Sequence, residues 1–295
     1  MRPEVRWTNL TPREIADRLR QRGLRVSVRV VRHLLAQHHY VRRKARKAQT
    51  MGHHKDRDAQ FQNIARLKQE YLNSPNPILS IDTKKKELVG NFYRAGSLYT
   101  QQIVTTWDHD FPSAADGKLI PHGIYDVKRN EAYLNVGLSH DTSEFACDSI
   151  YQWWCAVGRE LYPDATAILI LCDGGGSNSA TQYLFKEDLQ KLADRMGIAL
   201  RVAHYPPYCS KYNPIEHRVF PHVTRACQGL IFTTLAVPVA AMAKTQTRTG
   251  LRVVVNVIDK VYQTGRKVGE GFKESMRIVF DAVLPKWNYT AVPIG

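Results

Sequence analysis

The sequence predicts a mixed α/β fold, in which a sheet is flanked by helices and is preceded by a small all-α module. The first 50 residues combine helical periodicity with dense positive charge. From residue 77 onward, short apolar runs typical of buried strands appear, and from residue 143 helices and strands alternate. Several strands followed by such an alternation predict a mixed sheet covered by helices. At 295 residues and 43% hydrophobic content, the chain can form one large globular domain or two smaller ones.

Two helices are predicted near the start of the chain. The first spans residues 11–23, with Thr11 as its N-cap, Glu14 as the partner in a capping box and a glycine at its end. The second spans residues 27–39 and carries an apolar stripe, with arginines on the other face. A helix, a short glycine-containing turn and a basic second helix together predict a helix-turn-helix whose second helix enters the major groove of DNA.

The net charge of +15 is concentrated in this module. Its 50 residues contain 14 Lys or Arg residues and three acidic residues, whereas the rest of the chain is only mildly basic. A basic module of this kind predicts a polyanionic partner, double-stranded DNA, although a solubilising tail is the alternative. The residues expected to contact DNA lie on the second helix and in the run RRKARK: Arg29, Arg32, Arg42, Arg43, Lys44, Arg46 and Lys47.

The composition also disfavours several other classes of protein. No apolar run approaches the length of a membrane span, and the N-terminus lacks the apolar core of a signal peptide, which predicts a cytoplasmic, nucleoid-associated protein without a membrane partner. Five cysteines without a CxxC pair indicate reduced thiols, not a disulfide framework or a zinc site. The glycine run CDGGGSN matches neither common phosphate-binding pattern, so no nucleotide cofactor is expected.

Three segments are predicted along the chain. They are a helix-turn-helix module with a basic arm at 1–50, a helical connector at 51–76 and an α/β domain at 77–295. The predicted strands lie at 77–82, 98–106, 131–138, 167–172, 199–205 and 251–258. The predicted helices lie at 58–73, 143–161, 179–196, from 213 onward and at 233–243.

Two of the apolar runs, ILSI and ILILC, each end in an aspartate, Asp82 and Asp173. A strand that is almost entirely apolar is normally buried on both faces. If the two strands are parallel neighbours, both aspartates emerge at the edge where α/β sheets place their functional sites. For each aspartate taken alone, the alternative is a residue that merely ends a strand.

A third carboxylate, Glu216, lies in the segment PPYCSKYNPIEHRVF at 206–220. Asn213 and Pro214 fit the N-cap and first position of a helix, so the structural alternative for Glu216 is a capping-box role. Apolar residues spaced four apart turn Glu216 away from the deepest packing of this helix. Its carboxylate is therefore expected near the loop that enters the helix.

Three carboxylates, two from strand ends and one from a helix start, have the chemistry to bind two divalent cations at a phosphodiester. Mg²⁺ prefers oxygen ligands, and two ions about 4 Å apart can activate the attacking oxygen and stabilise the leaving oxygen. No nucleophile from the protein is required. The glycines after Asp173 are then explained as clearance for a DNA backbone.

The segments SIDTKKKELVGNF (80–92), CDGGGSN (172–178) and PPYCSKYNPIEHRVF (206–220) resemble the three acidic motifs of DDE transposases. The chain is similar to the ISAzo13 family of bacterial insertion sequences, related to the IS630 group, with WNYT near the C-terminus as a supporting segment. The resemblance implies a ribonuclease H-like core, two Mg²⁺ or Mn²⁺ ions, and DNA cleavage and strand transfer at transposon ends by a homo-oligomer. By motif, it makes three residues the catalytic and metal-binding triad: Asp82, Asp173 and Glu216.

Alternatives remain at the levels of function and of residues. The first alternative function is an inactive or truncated copy that acts only as a DNA-binding protein. The second is a ribonuclease H-like nuclease without strand transfer. Asp126 and Glu87 are the alternatives to Asp82 as the first carboxylate. Three further residues are candidates for holding DNA phosphates beside the site, with a solvated face as the alternative: Lys84, Lys85 and Lys86.

Overall fold

The structure, a computed structural model, describes residues 5–44 and 54–294, except for the side chain of Ser177. It divides into two compact units, Met1–Gln49 and Thr50–Gly295. Arg46 and Lys47, which are predicted to contact DNA, lie outside the described residues. Within the described ranges, no helix is both long and apolar enough to cross a membrane.

The smaller unit contains the two predicted helices, α1 (Pro12–Gln21) and α2 (Val28–Gln37). The predicted capping box is present: the Glu14 N–H donates to Thr11 Oγ1 (3.3 Å), and the Thr11 N–H donates to Glu14 Oε2 (2.6 Å). Only Ala16 and Val31 are buried among the described residues of this unit, whereas Leu34, an apolar residue of α2, is 40% exposed.

The larger unit is built from nine strands and eight helices in its described part. The strands are β1 (Ile78–Thr83), β2 (Glu87–Val89), β3 (Gly117–Asp126), β4 (Glu131–Gly137), β5 (Ala167–Cys172), β6 (Ala199–His204), β7 (Arg252–Ile258), β8 (Ile278–Phe280) and β9 (Asn288–Ala291). The helices are α3 (Arg57–Leu72), α4 (Ser143–Trp153), α5 (Arg159–Leu161), α6 (Tyr183–Met196), α7 (Pro214–Arg218), α8 (Phe220–Ala226), α9 (Ala236–Ala243) and α10 (Phe272–Ser275). A π-helical turn joins α4 to α5.

These strands form one mixed sheet in the order β7-β4-β3-β1-β5-β6-β9-β8, and β2 pairs with β3. The pairs β1–β5, β5–β6 and β4–β7 are parallel, and the pairs on either side of β3 and of β9 are antiparallel. The predicted mixed sheet is therefore confirmed. So is the expectation that the two apolar strands β1 and β5 are parallel neighbours at its centre.

Helices cover both faces of the sheet because alternate residues of the central strands point in opposite directions. On one face, Leu79 and Ile170 belong to a core with residues of α4 and α6. On the other face, Ile78 and Leu171 pack with Leu67 and other residues of α3. Fully burying one such side chain stabilises the fold by about 1.5–3 kcal/mol, so two-sided burial anchors β1 and β5 firmly.

The helix predicted as a connector is present as α3, and it packs on the sheet. Ile64, Leu67 and Tyr71 are buried against β1, β5 and β6. Gln60 is also buried, and its Nε2 donates to the carbonyl oxygen of His204 at 2.9 Å. This helix thus belongs to the larger unit, and it supports the strands that carry the site.

Two strand assignments differ from the sequence prediction. Residues 98–106 form no strand, since their β-forming side chains, such as the fully exposed Tyr99, have no buried surface to cover. The long strand β3 was not predicted, because Pro121 and Gly123 interrupt its sequence. Pro121 is tolerated because the β1–β3 pairing ends at Thr83 opposite His122, so β1 needs no N–H from the proline.

Candidate active site

Asp82 and Asp173 lie side by side at the edge of the sheet where β1 and β5 end. In the parallel pairing, Ser80 is opposite Leu171, and each aspartate lies two residues further along the chain. Asp82 is the fifth residue of β1, and Asp173 comes directly after β5. The close approach predicted from the two apolar runs is therefore present, because both strands are held in register by burial on both faces.

Glu216 reaches the same edge through a hydrogen-bond bridge between α7 and β1. The Ser80 hydroxyl donates to Asn213 Oδ1 (2.5 Å) and accepts from the N–H of Ile215 (2.9 Å). Asn213 Nδ2 donates to the carbonyl oxygen of Ile81 (2.9 Å). These buried bonds attach the start of α7 to the two residues that precede Asp82.

The bridge corrects the expected role of Asn213. Asn213 is the N-cap of α7 by position, but its side chain makes no capping hydrogen bond to the helix, because β1 engages both of its polar atoms. No capping box forms, so the structural alternative for Glu216 does not hold. Its carboxyl group interacts with that of Asp82 instead.

The negative charge gathered at this edge acts on the two aspartates, Asp82 and Asp173. Burial, the negative charge of Asp173 and a hydrogen bond with Glu216 raise the pKa of Asp82 to about 8. Burial also raises the pKa of Asp173; the Gly175 N–H partly offsets this effect, and the charges of Glu216 and Asp141 add to it. In the described chain, no Lys or Arg forms an ion pair with any of the three. Within the described part of the chain, the cluster therefore has no ion-pair partner.

This donor set matches a hard divalent cation in its chemistry, because it consists of carboxylate oxygens. Among the described residues, however, no three His, Cys, Asp or Glu side chains converge into a finished metal cage. Asp82 and Glu216 interact with each other. Together with Asp173, they are the groups that would hold such a cation.

A fourth carboxylate, Asp141, lies at this site and was missed by the sequence reasoning. Its Oδ1 accepts a hydrogen bond from Thr83 Oγ1 at 3.1 Å, and its charge acts on Asp173. It also acts on His122, a fully buried residue whose ring nitrogens have no hydrogen-bond partner among the described residues. Burial lowers the pKa of His122 to about 4, so the ring is neutral. The available signal was the position of Asp141 in SHDT, just after the predicted strand 131–138.

The two alternatives to Asp82 lie elsewhere. Asp126 is opposite Leu79 near the start of β1, at the other end of the strands, and there its Oδ2 accepts a hydrogen bond from the Tyr162 hydroxyl (2.7 Å). Glu87, on β2, forms ion pairs with Lys84 (2.5 Å) and Arg94 (3.3 Å). Neither carboxylate is brought together with Asp173.

The predicted DNA-contacting residues differ in their exposure. Lys84 is only 7% exposed and forms an ion pair with Glu87. Lys85 and Lys86, which follow it, are exposed. In the smaller unit the described members of the set are all exposed: Arg29, Arg32, Arg42, Arg43 and Lys44.

At two of the three positions in the glycine run after Asp173, the surrounding protein does not require a glycine. Only Gly176 has a left-handed backbone, with φ of +57°. A Cβ atom at Gly174 or Gly175 would meet its nearest neighbours at 3.8 Å, an ordinary contact distance. The protein itself therefore leaves room for side chains there.

A model of the family described as "Rhodopirellula transposase DDE domain" matches residues 1–293. The chain belongs to this transposase family. Membership confirms the resemblance carried by the three acidic motifs, and the mixed sheet with its flanking helices is the ribonuclease H-like fold that the resemblance implies. No curated protein matches the sequence.

Several solved structures of Mos1 transposase are similar in fold. A paired-end complex with the left transposon end is 15% identical, with 77% of this chain and 64% of that chain covered and a TM-score of 0.47. A strand transfer complex is 14% identical, with coverages of 77% and 63% and a TM-score of 0.46. A pre-cleavage transpososome is 13% identical, with coverages of 80% and 71% and a TM-score of 0.47. The chain spans about 64% of the length of the first of these relatives.

Proposed function

We propose that this transposase-family chain cleaves DNA at transposon ends and transfers the cut strands, with Asp82, Asp173 and Glu216 as its catalytic, metal-binding carboxylates. One observation carries the proposal. Three carboxyl groups from distant segments meet at one sheet edge with no basic partner among the described residues. Keeping such a cluster costs stability, which is typical of a functional site and not of a structural one.

The carboxylates would hold two Mg²⁺ or Mn²⁺ ions, and these would supply Lewis acidity to both sides of the scissile phosphodiester. The chain's own contribution is rigidity: β1 and β5 hold two carboxylates at a fixed separation, and the Asn213 bridge fixes the third. Burial of the cluster strengthens every charge interaction within it. Catalysis of this kind needs positioning and charge more than a protein nucleophile.

DNA would be held by the exposed basic residues on both units. Lys85 and Lys86 follow closely after Asp82 and are free to reach phosphates at the site. In the smaller unit, the second helix α2 presents Arg29 and Arg32 to solvent, as a major-groove helix requires. The room left at the glycines after Asp173 is consistent with close approach of a DNA backbone.

Because two transposon ends have to be processed together, we propose a homo-oligomer on DNA as the active form. We also place the protein in the cytoplasm with the nucleoid, where its substrate lies. No nucleotide cofactor enters this scheme.

The experiment uses a duplex that carries the inverted repeats flanking the gene, with Mg²⁺ or Mn²⁺. Asp173→Asn should reduce cleavage at least about a hundredfold, since a metal ion contributes several kcal/mol to the transition state. Asp126→Asn is the matched control: it removes a buried carboxylate from the opposite end of the strands and should leave cleavage within a fewfold of wild type. Both variants are compared below their melting temperatures.

Three results would contradict the proposal in different ways. Unchanged cleavage by Asp173→Asn would remove this residue from the site. Specific binding of the ends without nicking by the wild type would favour a DNA-binding protein without catalysis. Cleavage without joined products would favour a nuclease that does not transfer strands.

A further inference from the structure

The C-terminal WNY motif, Trp287, Asn288 and Tyr289, lies in the larger unit directly behind the candidate site. Asn288 and Tyr289 open strand β9, which pairs with β6 so that Val202 is opposite Tyr289. Both side chains are fully buried. The motif is far from Asp173 in sequence, yet two hydrogen bonds connect them.

The Tyr289 hydroxyl is linked to the backbone of Asp173 through the buried ring of His204. His204 Nδ1 lies 2.9 Å from the carbonyl oxygen of Asp173, and Nε2 lies 3.0 Å from the Tyr289 hydroxyl. Because a carbonyl oxygen only accepts, Nδ1 carries the proton, and Nε2 accepts from the tyrosine. Burial lowers the pKa of His204 to about 4, in agreement with a neutral ring.

Tyr289 also supports the far end of the glycine-rich loop, defined here as residues 173–182. Lys186 Nζ lies 4.6 Å from the centre of the Tyr289 ring and donates to the carbonyl oxygen of Ala180 at 2.7 Å. The lysine is buried, and burial lowers its pKa to about 8. One tyrosine thus contacts two side chains that hold the loop, His204 at its start and Lys186 near its end.

The loop depends on such anchors because of where the strand pairing stops. The ladder between β5 and β6 ends with Cys172 opposite His204, so Asp173 is the first residue beyond it. Three glycines follow, and glycine restrains its backbone less than any other residue. The hydrogen bond from the His204 ring therefore holds the backbone of Asp173, just beyond the point where the strand pairing ends.

The rest of the motif fixes the position of β9. The side-chain amides of Asn288 and Gln60 form two reciprocal hydrogen bonds (2.8 and 2.7 Å), which join β9 to α3. The ring of Trp287 packs on His54 with 4.7 Å between ring centres. The backbone carbonyl oxygen of Trp287 accepts a hydrogen bond from the backbone N–H of His204. Tyr289 is thereby presented to His204 from a rigid support.

We propose that Tyr289 and His204 are positioning residues, which hold the carboxylate of Asp173 in the orientation that binds the divalent cation. The proposal rests on the proposed function, because it needs Asp173 to be a metal ligand. Groups that orient a metal ligand from outside the coordination sphere typically change metal affinity by about 10- to 100-fold when they are removed. Tyr289 acts through one further residue, so its loss should lie at or below the lower end of that range.

The test compares Tyr289→Phe with Tyr162→Phe in the full chain. Each change deletes one buried hydroxyl and its single hydrogen bond, but Tyr162 bonds to Asp126 at the opposite end of the strands. Binding of Mn²⁺ alone is followed by the EPR signal of the free ion, and the His204 tautomer by ¹⁵N NMR. Tyr289→Phe should raise the Mn²⁺ dissociation constant about three- to tenfold. At saturating Mn²⁺, it should keep kcat near the wild-type value.

Tyr162→Phe should lower the melting temperature by a similar amount and leave Mn²⁺ affinity unchanged. His204→Asn, which can still donate to the Asp173 carbonyl, should bind Mn²⁺ better than His204→Phe. Equal Mn²⁺ affinities for the two tyrosine variants, or a wild-type His204 protonated on Nε2, would overturn the proposal.

Asp173→Asn in the same series separates the two levels of inference. If it leaves Mn²⁺ binding intact, the proposed metal site is wrong, and the positioning role is wrong with it. If it abolishes binding while Tyr289→Phe behaves like Tyr162→Phe, only the positioning role is wrong.

Discussion

At the scale of single residues, Asp82 shows what it costs to assemble this site. Its carboxyl group is removed from water and faces Glu216, beside the charge of Asp173, and its pKa rises to about 8 from an ordinary value of 3.8. Between these two pH values, the folded chain keeps a proton that the unfolded chain releases. The contribution of Asp82 to the free energy of unfolding is therefore most favourable at low pH and is lost as the pH rises toward 8.

This linkage predicts a dependence of stability on both pH and metal. Without divalent cations, the melting temperature of the wild type should fall between pH 5.5 and pH 8.5. The rise in melting temperature on adding Mn²⁺ should be larger at pH 8.5, because the cation binds the deprotonated carboxylates. Differential scanning calorimetry at the two pH values measures both effects.

Asp82→Asn provides the control for the other groups that titrate in this range. Asparagine keeps the shape of the side chain but has no proton to lose, so the fall in melting temperature should be much smaller. An identical pH profile in the variant and the wild type would show that Asp82 does not carry the raised pKa.

At the scale of elements, the site depends on one short helix being attached to one strand. Helix α7 has only five residues, too few to be stable by itself, and its first turn is held by Ser80 of β1 through Asn213 and Ile215. Both Ser80 and Asn213 are fully buried. The bridge therefore places Glu216 by means of bonds that water cannot replace.

Asn213→Ala should lower the free energy of unfolding by about 1–3 kcal/mol, because it leaves the carbonyl oxygen of Ile81 and the Ser80 hydroxyl with fewer partners. It should also raise the Mn²⁺ concentration required for DNA cleavage, because Glu216 is released from its position. Chemical denaturation measures the first effect, and a Mn²⁺ titration of cleavage measures the second.

Asn76→Ala is the matched control for this prediction. The Asn76 side chain accepts from the N–H groups of Thr166 and Ala167, and so joins the starts of β1 and β5 at the opposite end of the sheet. Asn76→Ala should lower the free energy of unfolding by a similar amount without changing the Mn²⁺ concentration that DNA cleavage requires. If both variants shift that requirement equally, the bridge acts only through global stability.

At the scale of the whole molecule, most of the net positive charge and the carboxylate cluster lie in different parts of the chain. The first 50 residues hold most of the net charge of +15, and the larger unit carries the carboxylate cluster. A basic module binds DNA largely through phosphates, with release of counterions, and so makes affinity fall with salt. In the proposed function, the acidic site would act on the DNA that the module retains.

This division predicts how affinity depends on salt. Replacing both Arg29 and Arg32 on α2 by alanine should weaken binding to end-containing DNA and reduce the slope of log affinity against log salt by about 2. Arg13→Ala with Arg18→Ala, two exposed arginines on α1, is the matched control and should change the slope less. Fluorescence anisotropy with the full chain measures both. Equal slopes for the two double variants would contradict α2 as the principal DNA-contacting helix.

Sequence alone determined the parts of this protein that local patterns specify. The capping box of α1, with Thr11 and Glu14, and the apolar strands that end at Asp82 and Asp173 were predictable, because caps and two-sided burial leave signals within a few residues. The motif resemblance then identified Glu216 as the third carboxylate and the transposase family as the relative.

Only the tertiary structure decided what depends on pairing between distant segments. Strand β3 forms although Pro121 and Gly123 weaken its signal, because β1 and β4 pair with it on both sides. Burial, a property of the folded chain, leaves Lys84 only 7% exposed. Asp141 reaches the site, and Tyr289 the back of it, through contacts with residues 58 and 85 positions away in the sequence. No local pattern encodes such contacts, since their energy comes from packing and hydrogen bonds that exist only after the sheet has formed.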